Sequence, residues 1–332
     1  MDIITQLMLQ GLCIFIAKFN IMHPFDWEPV PHWYVKDEYL RNELHTTGYV
    51  IKQLFEPAEI AQLKELYQAT HKFVNDEGGM FYSVYSQDLA YRQRVHNEIG
   101  TLVKPKLDQL MADYKVMLNS FIVKASGPKS EFYVHQDTTG LDEFKYSQLI
   151  VWMPLEDITE SNGAMCVIPR SQYIFSPYRS ISFPPPYQEV QSALRKYFIP
   201  LYLKAGEVVI FDNRIVHYSM PNLSGVERVV AISGVFPAEA KLITCFKEPA
   251  EPSKIELIEH EDDFILTNPN FLVDCTLRPA TGKTIDIVTD KYPMMNEEQL
   301  ETAFAAAGIK PVNLISELGV EECKLIAEPI TE

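Results

Sequence analysis

The chain has 332 residues, 47% hydrophobic and 22% charged, the composition of a soluble globular protein long enough to bury a full core. Its 45 acidic against 29 basic residues give a formal charge of −16, so the average surface repels phosphate backbones and anionic lipid, and nucleic acid is not an expected partner. Five scattered cysteines (Cys13, Cys166, Cys245, Cys275, Cys323) never form a C-x-x-C pair, which argues against a disulfide framework or a structural zinc site and points to reduced thiols in a cytoplasmic location.

The stretch Ile3 to Met22 is apolar but broken by Gln6, Gln10, Lys18 and Asn20, so it reads as a leader or docking segment rather than a membrane span. A leader segment over 1–40 is followed by a principal domain over 41–247 and an extension over 248–332. The principal domain opens with a strand at Gly48 to Phe55. A helix then starts at Pro57, with Ile60, Leu63, Leu66, Tyr67 and Thr70 on one apolar stripe. A second helix, about Val95 to Tyr114, is expected to be interrupted at Pro105.

From Val116 the texture changes to short strand-like runs: Val116–Ala125, Glu131–Gln136, Tyr146–Pro154, Ala164–Ile168, Pro200–Leu203, Glu207–Phe211, Ile215–Ser219 and Val226–Phe236. Eight such strands suffice for a jelly roll, giving a mainly β (α+β) fold. The Pro- and Tyr-rich segment 171–198, with Pro184-Pro185-Pro186, is too proline-rich for a central strand and long enough to be a lid. Two further strands (Lys254–Ile258, Asp263–Leu266) and a helix near Asn296–Ala307 complete the reading.

The chemistry concentrates in two places. In His135-Gln-Asp137, two side chains two residues apart on extended backbone project to the same side, so an imidazole and a carboxylate can meet one metal. Alone, this also describes a surface His beside a surface Asp. The second place is the run from Glu207 through His217 and Ser219, the turn Pro221 to Gly225, and Arg228. A simple hairpin would set His217 and Arg228 opposite each other and give a third ligand and a guanidinium one cavity, although His217 by itself equally suits a core histidine. Two His and one carboxylate leave adjacent positions open for a bidentate keto-acid and O2, and Arg228 offers a planar fork to a carboxylate.

These segments resemble the phytanoyl-CoA dioxygenase family. The resemblance rests on Thr47 to Glu59, on His135-Gln-Asp137 with Leu141-Asp-Glu143, on Val151 to Met165, and on Leu203 to Asp212 continuing through His217, Ser219, Asn222 and Arg228. It implies a double-stranded β-helix of the cupin-like kind with Fe(II) on His135, Asp137 and His217. It also implies 2-oxoglutarate on Arg228, with Ser219 beside it and Trp152 lining the pocket. Lys124 is either a second carboxylate contact or a snorkelling lysine. The implied reaction consumes 2-oxoglutarate and O2 to hydroxylate a C–H bond. Asp137 retains the carboxylate that halogenases of related architecture lack. Desaturation or oxidative cyclisation by the same cofactors, and a non-catalytic jelly-roll binding protein, stay open. Where the family usually has a proline-glycine-serine-histidine turn, this chain has Pro169-Arg-Ser-Gln172.

Between Met165 and Ile215, Arg170, Arg179, Arg195, Lys196, Lys204 and Arg214 outnumber the acids, which is either a solvated lid surface or a grip for a substrate carboxylate by Arg170 or Arg179. Thr138, Thr139, Tyr146 and Gln148 are further candidate wall residues for a small-molecule substrate.

Overall fold

A computed structural model of the protein describes residues 30–71, 79–274 and 276–312; the predicted leader at Ile3 to Met22 lies outside them. Among the described residues no helix is long and apolar enough to cross a membrane.

A helix not anticipated from the sequence, α1 (Glu38–Thr47), opens the fold. Its signals are local: the Asp37 carboxylate accepts from the Tyr39 and Leu40 N–H groups, Leu40 and Leu44 are buried one turn apart, and Gly48 takes the left-handed conformation that closes the helix. Strand β1 (Tyr49–Gln53) follows, then α2 (Pro57–Thr70), whose buried residues are the predicted stripe Ile60, Leu63, Leu66, Tyr67 and Thr70. Helix α3 (Leu89–Leu110) corrects the expected interruption, because it runs through Pro105 unbroken. Val95, Ile99, Val103 and Leu107 are each at most 1% exposed, and burial of this face outweighs the hydrogen bond that Pro105 cannot give the Thr101 carbonyl. Pro105 itself is exposed. Pro105→Ala should therefore stabilise the protein by about 1–3 kcal/mol in urea denaturation, and an unchanged midpoint would show that the helix has relaxed around the proline.

The β strands are β2 (Met80–Tyr82), β3 (Tyr114–Lys124), β4 (Phe132–His135), β5 (Leu149–Pro154), β6 (Met165–Val167), β7 (Ile199–Leu201), β8 (Glu207–Asp212), β9 (His217–Ser219) and β10 (Arg228–Pro237). They form a six-stranded antiparallel sheet, β1-β8-β5-β10-β3-β2, and a four-stranded one, β4-β9-β6-β7. From β3 to β10 the chain passes repeatedly between the two sheets, which is the double-stranded β-helix expected.

Alternation along each strand divides the residues between two cores. Ile122, Trp152, Val209 and Val230 of the larger sheet meet Met165, Val167 and Leu201 of the smaller one. Their neighbours Phe121, Val123, Val151, Met153, Ile210 and Ala231 face the other way, onto α2 and α3. The larger sheet is thus braced by helices on one side and faces the smaller sheet on the other.

The insertion carries a short helix, α4 (Gln191–Leu194). A third sheet, β11-β12-β13, is built from β11 (Leu242–Phe246), β12 (Lys254–His260) and β13 (Lys283–Thr289), so a boundary at 247 would fall between two paired strands. The strand predicted at Asp263–Leu266 is instead the helical turn α5 (Phe264–Thr267), whose three consecutive buried apolar residues carry no period that separates strand from helix. The predicted C-terminal helix is α6 (Glu297–Ala306); its Phe304 packs edge-on against Phe175 and Tyr197 of the insertion.

Candidate active site

His135 ends β4 and His217 begins β9, and the two are register partners with ring centroids 4.0 Å apart. Each ring is oriented by the backbone carbonyl two residues before it. Nδ1 of His135 donates to the Tyr133 carbonyl at 2.9 Å and Nδ1 of His217 to the Ile215 carbonyl at 3.0 Å, which leaves each Nε2 as the available lone pair. Asp137 Oδ1 lies 3.7 Å from His135 Nε2. One ligand atom from each of the three side chains falls within 4.8 Å of the others, an arrangement that can hold a metal ion.

The electrostatics suit a divalent cation. Burial, reinforced by His217, pushes His135 well below the usual imidazole range, so it is neutral as a ligand must be. Burial also pushes the Asp137 carboxyl up, and a cation would offset that penalty.

The loop before β9 is fixed by a network that sequence reasoning did not single out. The Asp137 N–H donates to the Asn213 carbonyl at 3.0 Å, and the Gln136 amide donates to the Arg214 carbonyl. Arg214, with no exposed surface, forms an ion pair with Asp212, whose other partner is His32 Nε2 at 2.9 Å. Burial alone would raise the Asp212 carboxyl, but Arg214 and His32 hold it well below the usual carboxylate range.

All three candidate ligands open onto a cavity of about 700 Å³, which Arg228, Ser219, Trp152, Thr138, Thr139, Gln148 and Arg179 also line. The hairpin expected to join His217 and Arg228 does not form. Strand β9 pairs with β4 and β6, whereas β10 pairs with β3 and β5, so the two residues reach one cavity from different sheets. Arg228 is 2% exposed, its guanidinium lies 5.3 Å from the Trp152 ring centroid, and its Nε and Nη1 have no hydrogen-bond partner. Burial lowers it only to about 10, so it stays cationic at neutral pH.

Three predicted contacts sit elsewhere. Lys124 is fully buried and outside the cavity wall. Burial and then Arg228 pull its ammonium down to about 6, while the carbonyls of Met220 (2.6 Å), Ser130 (2.7 Å) and Ser219 (3.4 Å) accept its N–H groups and favour the charged form. It therefore ties β3 to the end of β9 rather than meeting a ligand. Arg170 also lies outside the cavity wall: its N–H donates to the Thr47 carbonyl, and its side chain runs towards Gly308. Tyr146 packs with Leu141, Phe236 and Ala240.

The grip on a substrate carboxylate is corrected as well. Arg179 lines the cavity, but its two terminal nitrogens bind Glu143 at 2.6 and 2.7 Å and its Nε donates to the Asp137 carbonyl at 2.7 Å. Arg195 pairs with Glu131, Lys196 with Glu301, Lys204 with Asp157 and Arg214 with Asp212. Apart from Arg214, whose Asp212 lies two residues away, Arg179, Arg195, Lys196 and Lys204 are thus met by acids brought from elsewhere in the chain. Wall residues without a sequence signal include Tyr82, Tyr85, Leu242, Thr244 and Ile265; the insertion contributes Tyr178 through Pro185, with Tyr187 and Gln188.

The phytanoyl-CoA dioxygenase (PhyH) family model matches residues 44–230, more than half of the chain. The chain is similar to "Phytanoyl-CoA dioxygenase 1" of Oryza sativa subsp. japonica, 32% identical over 121 residues that cover 34% of this chain and 41% of that protein. It is also similar to "Phytanoyl-CoA dioxygenase domain-containing protein 1" of Danio rerio, 24% identical over 206 residues covering 58% and 68%. It thus spans less than half the length of the rice relative. Among solved structures, HygX from Streptomyces hygroscopicus with nickel and 2-oxoglutarate bound is 12% identical, with a TM-score of 0.47 over 64% of this chain and 90% of that one. On the extent of the family match, the chain belongs to the phytanoyl-CoA dioxygenase (PhyH) family.

Proposed function

We propose that this protein is an Fe(II)- and 2-oxoglutarate-dependent dioxygenase that hydroxylates a C–H bond of a small organic substrate. His135, Asp137 and His217 hold the iron, and Arg228 receives the carboxylate of 2-oxoglutarate distant from the metal. The observation that carries the reading is the Arg228 guanidinium, buried, cationic and with two unpartnered nitrogens in the wall of the cavity onto which the triad opens. A buried cation without a protein partner is costly, and an anionic ligand with a planar carboxylate supplies what is missing.

When bound, iron with 2-oxoglutarate and O2 supplies the oxidation: 2-oxoglutarate becomes succinate and CO2, and the substrate exchanges C–H for C–OH. The chain's own residues prepare and enclose that chemistry. The two Nδ1–H bonds to backbone carbonyls fix the imidazoles for ligation, and Asp137 contributes the anionic donor. Trp152 covers the face of Arg228, and the insertion's aromatic wall excludes water from the substrate side.

The test is an anaerobic titration of Fe(II)-loaded protein with 2-oxoglutarate, read by the weak visible charge-transfer band of a chelated keto-acid. The band should appear in the parent and vanish in Asp137→Ala. Its absence from folded, iron-loaded parent protein would sink the assignment.

A further inference from the structure

The interior row of the strand that carries Trp152 runs on through Ile150 to Gln148, and all three side chains line the cavity. At about 3.3 Å per residue, Gln148 stands roughly 13 Å along the strand from Trp152, at the end of the row away from Arg228. Its backbone carbonyl continues the ladder by accepting the Asn213 N–H at 3.1 Å, so the position is fixed. The side chain is 3% exposed, and its Oε1 is buried with no hydrogen-bond partner. It packs so closely on Gly140 that a Cβ there would come within 2.2 Å of Oε1. A buried amide oxygen left unpaired costs about 1–3 kcal/mol, and because Gln148 also lines the cavity its amide can take a partner from a molecule bound there.

The cavity wall also carries the uncharged polar groups of Thr138, Thr139, Ser180, Ser182, Gln188 and Thr244. Leu118, Tyr178, Phe183, Leu242 and Ile265 are apolar or aromatic. Of the charged groups, Arg179 is neutralised by Glu143, and Arg228 is assigned to 2-oxoglutarate. From this we infer that the substrate space takes an uncharged molecule, and that Gln148 selects and orients it through one hydrogen bond to a group such as a hydroxyl. The inference rests on the dioxygenase reading, which assigns Arg228 to the co-substrate. A multiply phosphorylated substrate arm finds no partner in this wall.

The test uses Fe(II)- and 2-oxoglutarate-loaded protein under anaerobic conditions with three probes that share one ring system: 2-naphthol, naphthalene and 2-naphthoate, followed by naphthalene fluorescence, with coenzyme A as a competitor. The parent should bind 2-naphthol about tenfold more tightly than either of the other two, the value of one net hydrogen bond, and coenzyme A should not displace it. Gln148→Leu, or Gln148→Met if that variant fails to fold, should weaken 2-naphthol about tenfold and leave naphthalene within about twofold. Equal or tighter binding of 2-naphthoate, displacement by coenzyme A, or survival of the 2-naphthol preference in the Gln148 variant would each overturn the inference. The 2-oxoglutarate band is read separately. If the band is absent while the probe preference and its loss in the variant hold, the co-substrate assignment fails and the neutral pocket stands.

Discussion

Arg228→Met should weaken 2-oxoglutarate binding by about two to three orders of magnitude while leaving the protein at least as stable as the parent. Removing one side of a buried, hydrogen-bonded charge pair costs about 2–5 kcal/mol, and each 1.4 kcal/mol is about tenfold in affinity. In the protein without ligand, however, Arg228 has no such pair: it is buried, and its Nε and Nη1 bond to nothing. Methionine removes that desolvation penalty and keeps much of the apolar volume beside Trp152. Arg228→Lys should fall between the two, since it restores the charge without the fork. Calorimetric titration of 2-oxoglutarate into anaerobic iron-loaded protein, alongside urea melts, separates the two effects. Unchanged affinity would remove Arg228 from the co-substrate site, and a stability loss of several kcal/mol would show that the cation has a partner within the fold.

How far the site was legible follows from where each signal lies. The candidate triad that the structure brings together could be read because His135 and Asp137 sit on one short extended segment and His217 on a second one within a family-like run. The apolar stripe of α2 was visible for the same local reason. The relation of His217 to Arg228 was not: their separation fits a hairpin, and only the pairing of β9 with β4 and of β10 with β3 places them in opposing sheets. The cationic lid failed as a substrate signal because its partners are remote. Arg179 meets Glu143 from 36 residues away, Arg195 meets Glu131 from 64, and Lys196 meets Glu301 from 105. Charge counting along a window cannot see such neutralisation. Gln148 was visible as a candidate wall residue, but its unpaired oxygen belongs to three-dimensional packing against Gly140.

Asp212→Asn should destabilise the protein by about 3–5 kcal/mol at neutral pH, because it strands the Arg214 guanidinium in the core. Both side chains are essentially without exposed surface, and Arg214 Nε donates to Asp212 Oδ1 at 2.7 Å. The pair also holds the turn into β9: Asp212 Oδ1 accepts the Arg214 N–H at 2.9 Å, and the Asp212 N–H donates to the Gly48 carbonyl at 2.8 Å. Weakened Fe(II) binding through His217 should therefore accompany the lost stability. Since the folded-state carboxyl is held below its unfolded value of about 3.9, its contribution is present above that pH and declines as the pH falls towards the folded value. Urea midpoints of parent and variant should then differ widely at pH 7 and converge below about pH 4. Replacing both partners, Asp212→Leu with Arg214→Met, should cost much less than the sum of the single changes, because no charge is left buried alone. A single variant within about 1 kcal/mol of the parent at pH 7 would mean that water reaches Arg214, and the rigid support this pair gives His217 would have to be sought in the Gln136 and Asp137 contacts instead.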